Sequence, residues 1–263
     1  MTKQKRRKRP FENNRKRGRE STGKTGRSDP SDTSWLWGIH AVEAALANPK
    51  RPAGKLFATA NAARKLGLKG SHEVSGVELS KQLPPGAVHQ GLALQTPALP
   101  VLSLNGLLER KVTRIAVLDQ VSDPHNLGAV MRSAAAFGVE AVILQTRHSP
   151  PITGIVAKAA AGAVETVAEC RVVNIARALE TLSQAGFTSI GLAGTARDNL
   201  DGAIPETGSV ALVFGAEGAG LRPAVAKACS WLAKIPMSPA MESLNISNAA
   251  AIAFYEIARK QAG

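Results

Sequence analysis

The sequence has few of the residues that build disulfide frameworks, metal clusters or membrane spans. Its 263 residues contain two cysteines, Cys170 and Cys229, which are too few for a disulfide framework, and neither lies in a CxxC motif. The five histidines are scattered without metal-ligand spacing. No apolar run approaches the ~20 residues that cross a bilayer, and the basic N-terminus has no apolar segment behind it. We therefore expect no metal, no membrane span and a reducing, cytoplasmic location.

Acidic residues are scarce at the N-terminus only, and this explains the net charge of +13. Residues 1–27 hold 12 Lys or Arg and 2 Glu (+10), whereas the other 236 residues hold 21 basic and 18 acidic side chains (+3). Because the first segment is almost free of apolar residues, we predict a disordered basic tail over residues 1–33. A mobile polycation binds RNA or DNA by releasing counterions. A solubility tail or a nuclear-localisation-like cluster is the alternative interpretation.

A P-loop pattern occurs within this tail. Residues 18–25 read GRESTGKT, which matches GxxxxGK[ST]. A working P-loop needs a buried strand before it and a helix after it, so that backbone N–H groups cradle phosphate. Here NNRKR precedes the match and GRSDPSDTS follows it, and neither can form such an element. We interpret the match as accidental.

Two α/β modules are predicted after the tail. The first, residues 34–98, alternates strand-like and helix-like segments and closes with GLALQ. The proline-containing stretch TPALPVLSL predicts a linker, placed at residues 99–112. In residues 113–263 the apolar runs IAVLD, AVILQ, SIGLAG and VALVFG, with a weaker WLAKIP, alternate with helical segments. Apolar strands separated by helices indicate a mostly parallel sheet covered on both faces, whose ligands bind beyond the carboxyl ends of the strands.

Polar residues follow three of these apolar runs. After IAVLD, a helical stripe packs on the sheet, Asn126 stands where an N-cap belongs, and Arg132 falls off the stripe. After VALVF, the loop GAEGAGLRP brings three glycines and Glu217. The predicted stripe comprises Leu127, Val130, Met131, Ala134, Ala135 and Gly138.

The third polar segment, SLNISNAAA, follows WLAKIP and opens the last helix. One cap is enough for a helix, and Ser247 or Asn245 can supply it. The remaining amide and hydroxyl side chains then lie at the same edge of the sheet as the other two loops. Three polar loops at one edge of a parallel sheet predict a site for a polar ligand.

Together these stretches resemble the signature motifs of the SpoU/TrmH-type RNA 2′-O-ribose methyltransferases of the SPOUT superfamily. DPHNLGAVMRSAAAFG, LVFGAEGAGL and IPMSPAMESLNISNAAAIAFYE are similar to its three motifs, in order and over about residues 112–261. WGIHAVEAAL and AVHQGLALQ resemble an L30e-like domain that binds substrate RNA in the subgroup acting on a guanosine of 23S ribosomal RNA. Glu242 departs from the pattern. Either it repels substrate phosphate or it faces solvent.

The resemblance implies an α/β catalytic domain with a parallel sheet and a C-terminal trefoil knot, a homodimer, and S-adenosyl-L-methionine as the cofactor. It implies an RNA partner, 23S rRNA or a ribosome-assembly intermediate. The alternatives are a tRNA 2′-O-ribose methyltransferase and a catalytically inactive RNA-binding or ribosome-assembly factor. By motif position, the catalytic set would be Asn126, Arg132, Glu217, Ser243 and Asn245, and the cofactor-binding set Gly194, Gly215, Ile235 and Leu244. With Ser243 and Asn245 in the site, Ser247 or Asn248 would cap the last helix.

Overall fold

The computed structural model describes residues 33–261. The basic tail, except for Thr33 at the start of the first strand, and the P-loop-like GRESTGKT lie outside the described residues.

The N-terminal part forms a four-stranded sheet in the order β1-β4-β2-β3. β4 pairs antiparallel with β1 and β2, while β3 pairs parallel with β2. Side chains cap two of its helices: Thr59 accepts a hydrogen bond from Ala62 N, and Ser75 forms a reciprocal capping box with Glu78. The elements are β1 (Thr33–Trp37), α1 (Ile39–Ala47), β2 (Lys55–Ala58), α2 (Ala60–Leu66), β3 (His72–Glu73), α3 (Gly76–Gln82) and β4 (Leu92–Pro97).

The larger part is built on a seven-stranded sheet in which every pairing is parallel. The strand order is β7-β6-β5-β10-β8-β11-β9. Its central strands are apolar along their whole length because helices cover both faces. The strands are β5 (Arg114–Leu118), β6 (Ala141–Gln145), β7 (Ala168–Val172), β8 (Phe187–Leu192), β9 (Asp198–Asn199), β10 (Ser209–Phe214) and β11 (Trp231–Lys234).

Seven helices and one 3₁₀ turn, Ala163–Glu165, accompany this sheet in the described part of the chain. The segment predicted as a linker, residues 99–112, contains the first of them, and its Leu107 is buried in the core beneath the sheet. The helices are α4 (Leu104–Glu109), α5 (Pro124–Ala136), α6 (Gly154–Ala159), α7 (Ile175–Gln184), α8 (Leu200–Ala203), α9 (Pro223–Ala228) and α10 (Ile246–Lys260).

All five strands predicted for the larger part are present, but β7 and β9 were missed. β7 reads AECRV and lies at one edge of the sheet, where one pair of its side chains, Glu169 and Arg171, forms an ion pair. An edge strand with polar residues has none of the continuous apolar character by which the other strands were recognised.

The cap predicted for α5 was wrong, while most of the stripe was correct. Asp123, and not Asn126, is the N-cap; its side chain accepts a hydrogen bond from His125 N, and proline follows at the first helical position. Ala135 and Gly138 are exposed, and Gly138 lies beyond the end of the helix at Ala136. The buried members of the predicted stripe are Leu127, Val130, Met131 and Ala134.

Two hydrophobic cores fill the two faces of the large sheet, and one of them continues into the N-terminal part. Leu36 and Val42 belong to the same buried cluster as Leu118. α6 and β1 also approach closely at Gly154, where a Cβ would lie 2.1 Å from the Trp37 ring. The two parts therefore share a continuous packed core. No helix within residues 33–261 has the length and apolar character to span a membrane.

Candidate active site

The carboxyl ends of four neighbouring strands carry the candidate site. β5, β10, β8 and β11 lie side by side, and the loops that follow them lead into residues 119–123, 215–222, 193–197 and 235–245. Because all four strands run parallel, these loops meet at one edge of the sheet.

Three polar side chains from three of these loops are hydrogen-bonded to one another, and we call them the Asn–Glu–Asn cluster. Asn126 Nδ2 donates to Glu217 Oε1 at 2.9 Å, and Asn245 Nδ2 donates to the same oxygen at 2.8 Å. Asn245 Nδ2 also lies 3.1 Å from Asn126 Oδ1. The prediction that these separated turns come together is therefore confirmed by their geometry.

Asn245 is also the N-cap of α10, which corrects the prediction that Ser247 or Asn248 would cap this helix. Its Oδ1 accepts hydrogen bonds from Ser247 N at 2.8 Å and Ser247 Oγ at 2.5 Å, while its Nδ2 serves the cluster. One side chain thus ties the start of the last helix to Glu217. The amide orientation follows from this network, because Nδ2 can only donate and Oδ1 can only accept.

The cluster leaves one carboxylate oxygen of Glu217 available. Both amides donate to Oε1, and Oε2 makes no hydrogen bond within residues 33–261. The side chain is exposed at the edge of the sheet. An oriented, accessible anionic oxygen can attract a cationic group of a ligand or accept a hydrogen bond from one of its N–H or O–H groups.

The other two predicted catalytic residues stand apart from the cluster. Ser243 is exposed and precedes Asn245 by two residues, without a hydrogen bond to the cluster. Arg132 is exposed on α5 and makes no hydrogen bond or ion pair with any residue of the described chain. Arg132 follows Asn126 by six positions on the helix. This places it about 9 Å further along the helix axis and about a third of a turn around it.

The glycine-rich loop after β10 folds back on itself. A Cβ on Gly215 would lie 2.1 Å from the carbonyl carbon of Gly220 and 2.3 Å from Leu221 N. Ala216 and Gly220 also form an isolated bridge. Gly215 is therefore required by the close approach of backbone within the loop, and the folded loop presents Glu217 at its tip.

The four residues predicted to hold a cofactor lie on the same edge. Gly194 follows β8, Gly215 follows β10, and Ile235 and Leu244 lie in the segment after β11. A Cβ on Gly194 would lie 3.8 Å from the Glu242 carbonyl oxygen, so the loops after β8 and β11 adjoin. The Glu242 side chain is exposed, as are Gly194 and Glu217.

Residues 113–255, which include all of these loops, match the model of the SpoU rRNA methylase family. The chain belongs to this family. It is 37% identical over 241 residues to the 23S rRNA (guanosine-2′-O-)-methyltransferase RlmB of Vibrio cholerae, covering 86% of this chain and 96% of the relative. The RlmB of Ralstonia nicotianae is also 37% identical, over 88% of this chain and 97% of its own length.

Solved structures share the fold of this SpoU-family chain. The SpoU methyltransferase AviRb of Streptomyces viridochromogenes, crystallised with AdoMet, has a TM-score of 0.73 and 20% identity over 88% of this chain and 91% of that chain. This likeness confirms the α/β fold with a parallel seven-stranded sheet.

Sequence reasoning missed the ion pair that anchors the glycine-rich loop of this SpoU-family site. Asp119, fully buried at the end of β5, accepts hydrogen bonds from the Arg222 guanidinium, the shortest being 2.6 Å, and from Arg222 N at 3.3 Å. The sequence feature that points to Asp119 is the position of a carboxylate directly after a buried apolar strand. Its partner lies 103 residues away in sequence, so no local pattern joins them.

Neither thiol of the SpoU-family chain is suited to nucleophilic catalysis. Burial, and to a smaller extent Glu169, raises the pKa of Cys170 to about 11. Burial, followed by Asp119, raises the pKa of Cys229 to about 12. Both sulfurs are therefore protonated at neutral pH. Within residues 33–261, no three His, Cys, Asp or Glu side chains are grouped so that they could hold a metal ion.

Proposed function

We propose that this chain transfers a methyl group from S-adenosyl-L-methionine to the ribose 2′-hydroxyl of a guanosine in 23S rRNA. Family membership supports methyl transfer to RNA, and the names of relatives with 37% identity support the guanosine and the ribose oxygen. The observation that carries the proposal is the Asn–Glu–Asn cluster, because it unites all three motif loops at the ligand-binding edge of the sheet.

The loops after β8, β10 and β11 have the properties that this cofactor requires. Their backbones are accessible at Gly194 and half-buried at Gly215, so N–H and C=O groups can bind the neutral adenosine portion. Ile235 and Leu244, both half-buried, supply apolar contact. The free Oε2 of Glu217 offers a negative charge for the sulfonium. We assign cofactor binding to Gly194, Gly215, Ile235 and Leu244.

S-adenosyl-L-methionine supplies the methyl group on a positively charged sulfur. The residues of the chain must then orient the 2′-hydroxyl and stabilise the negative charge that develops on its oxygen. We assign orientation of the ribose to Ser243. Asn126 and Asn245 hold the Glu217 carboxylate in place through their hydrogen bonds to Oε1. A guanidinium group donates hydrogen bonds and has no acceptor site. We therefore assign Arg132 to stabilising the developing alkoxide and an adjacent phosphate, and that phosphate takes the 2′-hydroxyl proton.

A homodimer accounts for the separation of Arg132 from the cluster. Ile252 and Tyr255 on α10 are apolar or aromatic side chains that are 43% and 53% exposed, and Tyr255 packs edge-on against Phe137 just beyond α5. This surface of α5 and α10 supports docking of a second copy. We propose that Arg132 of each copy serves the cluster of the other.

We propose that the catalytic domain contains a trefoil knot, and the strand order supports this proposal. β8 and β9 are joined by five residues, 193–197, yet β11 lies hydrogen-bonded between these two strands. β11 is therefore inserted between two strands that a segment of only five residues joins. This insertion supports the knot and explains why cofactor-binding loops crowd at one place.

The rest of the chain supplies RNA affinity in this proposal. The sheet-containing N-terminal unit, residues 34–98, corresponds to an L30e-like RNA-binding domain, joined through residues 99–112 to the catalytic domain, 113–263. The basic tail, residues 1–33, adds non-specific attraction through counterion release. A cytoplasmic location follows from an rRNA or ribosome-assembly substrate.

Titration calorimetry with S-adenosyl-L-methionine, followed by methylation of 23S rRNA in vitro, tests the proposal. We expect stoichiometric cofactor binding and a 2′-O-methyl group on one guanosine. Asn245→Ser, which retains a helix-capping oxygen, should bind RNA but transfer methyl groups ~100-fold more slowly. Absence of cofactor binding would favour an inactive RNA-binding or assembly factor, and methylation confined to tRNA would favour the tRNA enzyme.

A further inference from the structure

The loop after β6 lies at the same edge of the large sheet as the candidate site, and none of the three motifs assigns it a role. Residues 146–153 connect the carboxyl end of β6 to α6. β6 pairs directly with β5, whose following loop leads to Asn126. The two loops therefore begin one strand spacing apart, about 4.8 Å, on the same edge of the sheet.

An internal arginine holds this loop in shape. Arg171 on β7 has a side chain that is only 17% exposed, and its guanidinium donates to the carbonyl oxygens of Gln145 (3.3 Å), Ser149 (3.3 Å) and Pro150 (2.6 Å). Glu169 accepts from Arg171 Nε at 2.6 Å. A short connection between a strand and a helix does not need so many side-chain hydrogen bonds. The loop is therefore fixed in one particular conformation.

That conformation is not the most relaxed one for the loop. His148 has φ 71°, the left-handed region that a residue with a Cβ rarely occupies. Gln145 Oε1 and Ser149 Oγ are buried without a hydrogen-bond partner among the described residues. Strain and unsatisfied polar atoms at one ordered place are typical of a binding contact that is held ready for a ligand.

The loop presents cationic and hydrogen-bonding groups to solvent. Arg147 and His148 are both exposed, and neither makes a hydrogen bond or ion pair within residues 33–261. The guanidinium of arginine matches the geometry of a phosphate and binds it through two parallel hydrogen bonds. An RNA strand that places one ribose at the Asn–Glu–Asn cluster must also pass its neighbouring phosphates along this edge.

We propose that Arg147 and His148 bind a phosphodiester of the RNA that flanks the methylated ribose, and that Arg171 is the positioning residue that holds them in place. This inference rests on the proposed function, because it takes RNA as the substrate of the same site. It adds a substrate contact from a loop outside the three motifs.

Binding of a 23S rRNA fragment at several salt concentrations tests the inference, with Arg147→Ala and His148→Gly as the variants. Glycine adopts φ 71° without strain, so His148→Gly keeps the loop shape and removes only the ring. We expect Arg147→Ala to weaken RNA binding ~10-fold and to lower the slope of log Kd against log salt by about 1, with cofactor affinity unchanged. His148→Gly should weaken binding by a smaller factor.

Lys227→Ala is the matched control. Lys227 is exposed in the last turn of α9, which runs from the carboxyl end of β10 to the amino end of β11, and so lies at the opposite edge of the sheet. It should leave RNA affinity and salt slope unchanged. If Arg147→Ala behaves like Lys227→Ala while the wild-type protein binds and methylates the RNA, the inference is overturned and the proposed function stands. If the wild-type protein does not bind the RNA, both are overturned.

The positioning role of Arg171 needs a separate readout, because replacing it could also lower stability. Arg171→Met should weaken RNA binding. The double variant with Arg147→Ala should bind RNA no more weakly than Arg171→Met alone, since both changes remove the same contact. A purely structural role predicts that the two effects multiply. Multiplied effects would therefore refute the assignment of Arg171.

Discussion

Asn245 performs two tasks that different replacements can separate. Its Oδ1 caps α10 and its Nδ2 donates to Glu217. Asn245→Ser retains an oxygen that can cap the helix but removes the amide Nδ2 that donates to Glu217. We therefore expect an unfolding free energy within about 0.5 kcal/mol of wild type and the loss of methyl transfer stated above. Asn245→Ala should lose a further ~1 kcal/mol of stability. Urea unfolding and single-turnover methylation measure the two effects.

Equal stabilities for the serine and alanine variants would contradict the capping role, and full activity of the serine variant would contradict the catalytic one. The double role also explains why sequence reasoning assigned the cap to Ser247 or Asn248. Asn, Ser and Ser stand within five residues, 243–247, and each is a good cap, so residue type alone does not distinguish a cap from a ligand contact.

At the scale of elements, the Asp119–Arg222 ion pair fastens the glycine-rich loop to the end of β5. Asp119 is fully buried, while the Arg222 side chain is 39% exposed. Arg222→Gln leaves a buried carboxylate with a weaker partner, and we expect it to destabilise the fold by about 3 kcal/mol and to lower activity by loosening Glu217. Asp119→Asn combined with Arg222→Gln should be less destabilising than Arg222→Gln alone, because no charge remains buried. Thermal and urea unfolding of the two variants and of the wild-type protein provide the comparison.

A double variant that is less stable than Arg222→Gln would count against this electrostatic explanation. The pair also illustrates which elements could be predicted. β5, β10 and α5 were found because apolar periodicity is local, whereas β7 was missed because its charged pair, Glu169 and Arg171, interrupts that pattern. The contacts that fix loops, Asp119 with Arg222 and Arg171 with three carbonyl oxygens, join residues that are distant along the chain and leave no periodic signal.

At the scale of the whole molecule, the site is proposed to be complete only in a dimer. Arg132→Ala and Glu217→Gln should each inactivate the protein alone. When the two variants are mixed and their dimers dissociate and reassociate, half of the dimers carry one chain of each kind. Each of these mixed dimers has one site in which both residues are wild type. We therefore expect about a quarter of wild-type activity to return, since one site in two is restored in half of the dimers. Methyl incorporation before and after mixing measures it.

Recovery of no activity from a mixture that has exchanged subunits would show that Arg132 acts within its own chain. The helix predicted over this segment already placed Arg132 six residues after Asn126 and off the buried stripe. The residues of the cluster were predicted by motif position, and their contact is confirmed. That contact joins loops that are remote in sequence, so its distances could not be predicted from the motifs.

The most direct test of the central claim, that the Asn–Glu–Asn cluster of this SpoU-family chain methylates a ribose of 23S rRNA, is a map of 2′-O-methyl groups on rRNA and tRNA. The map is compared between a strain that lacks the gene and the same strain supplied with wild-type protein or with Glu217→Gln. The account predicts that one 23S guanosine loses its methyl group, regains it with the wild-type protein and stays unmodified with Glu217→Gln. An unchanged rRNA map, or full restoration by Glu217→Gln, would contradict it.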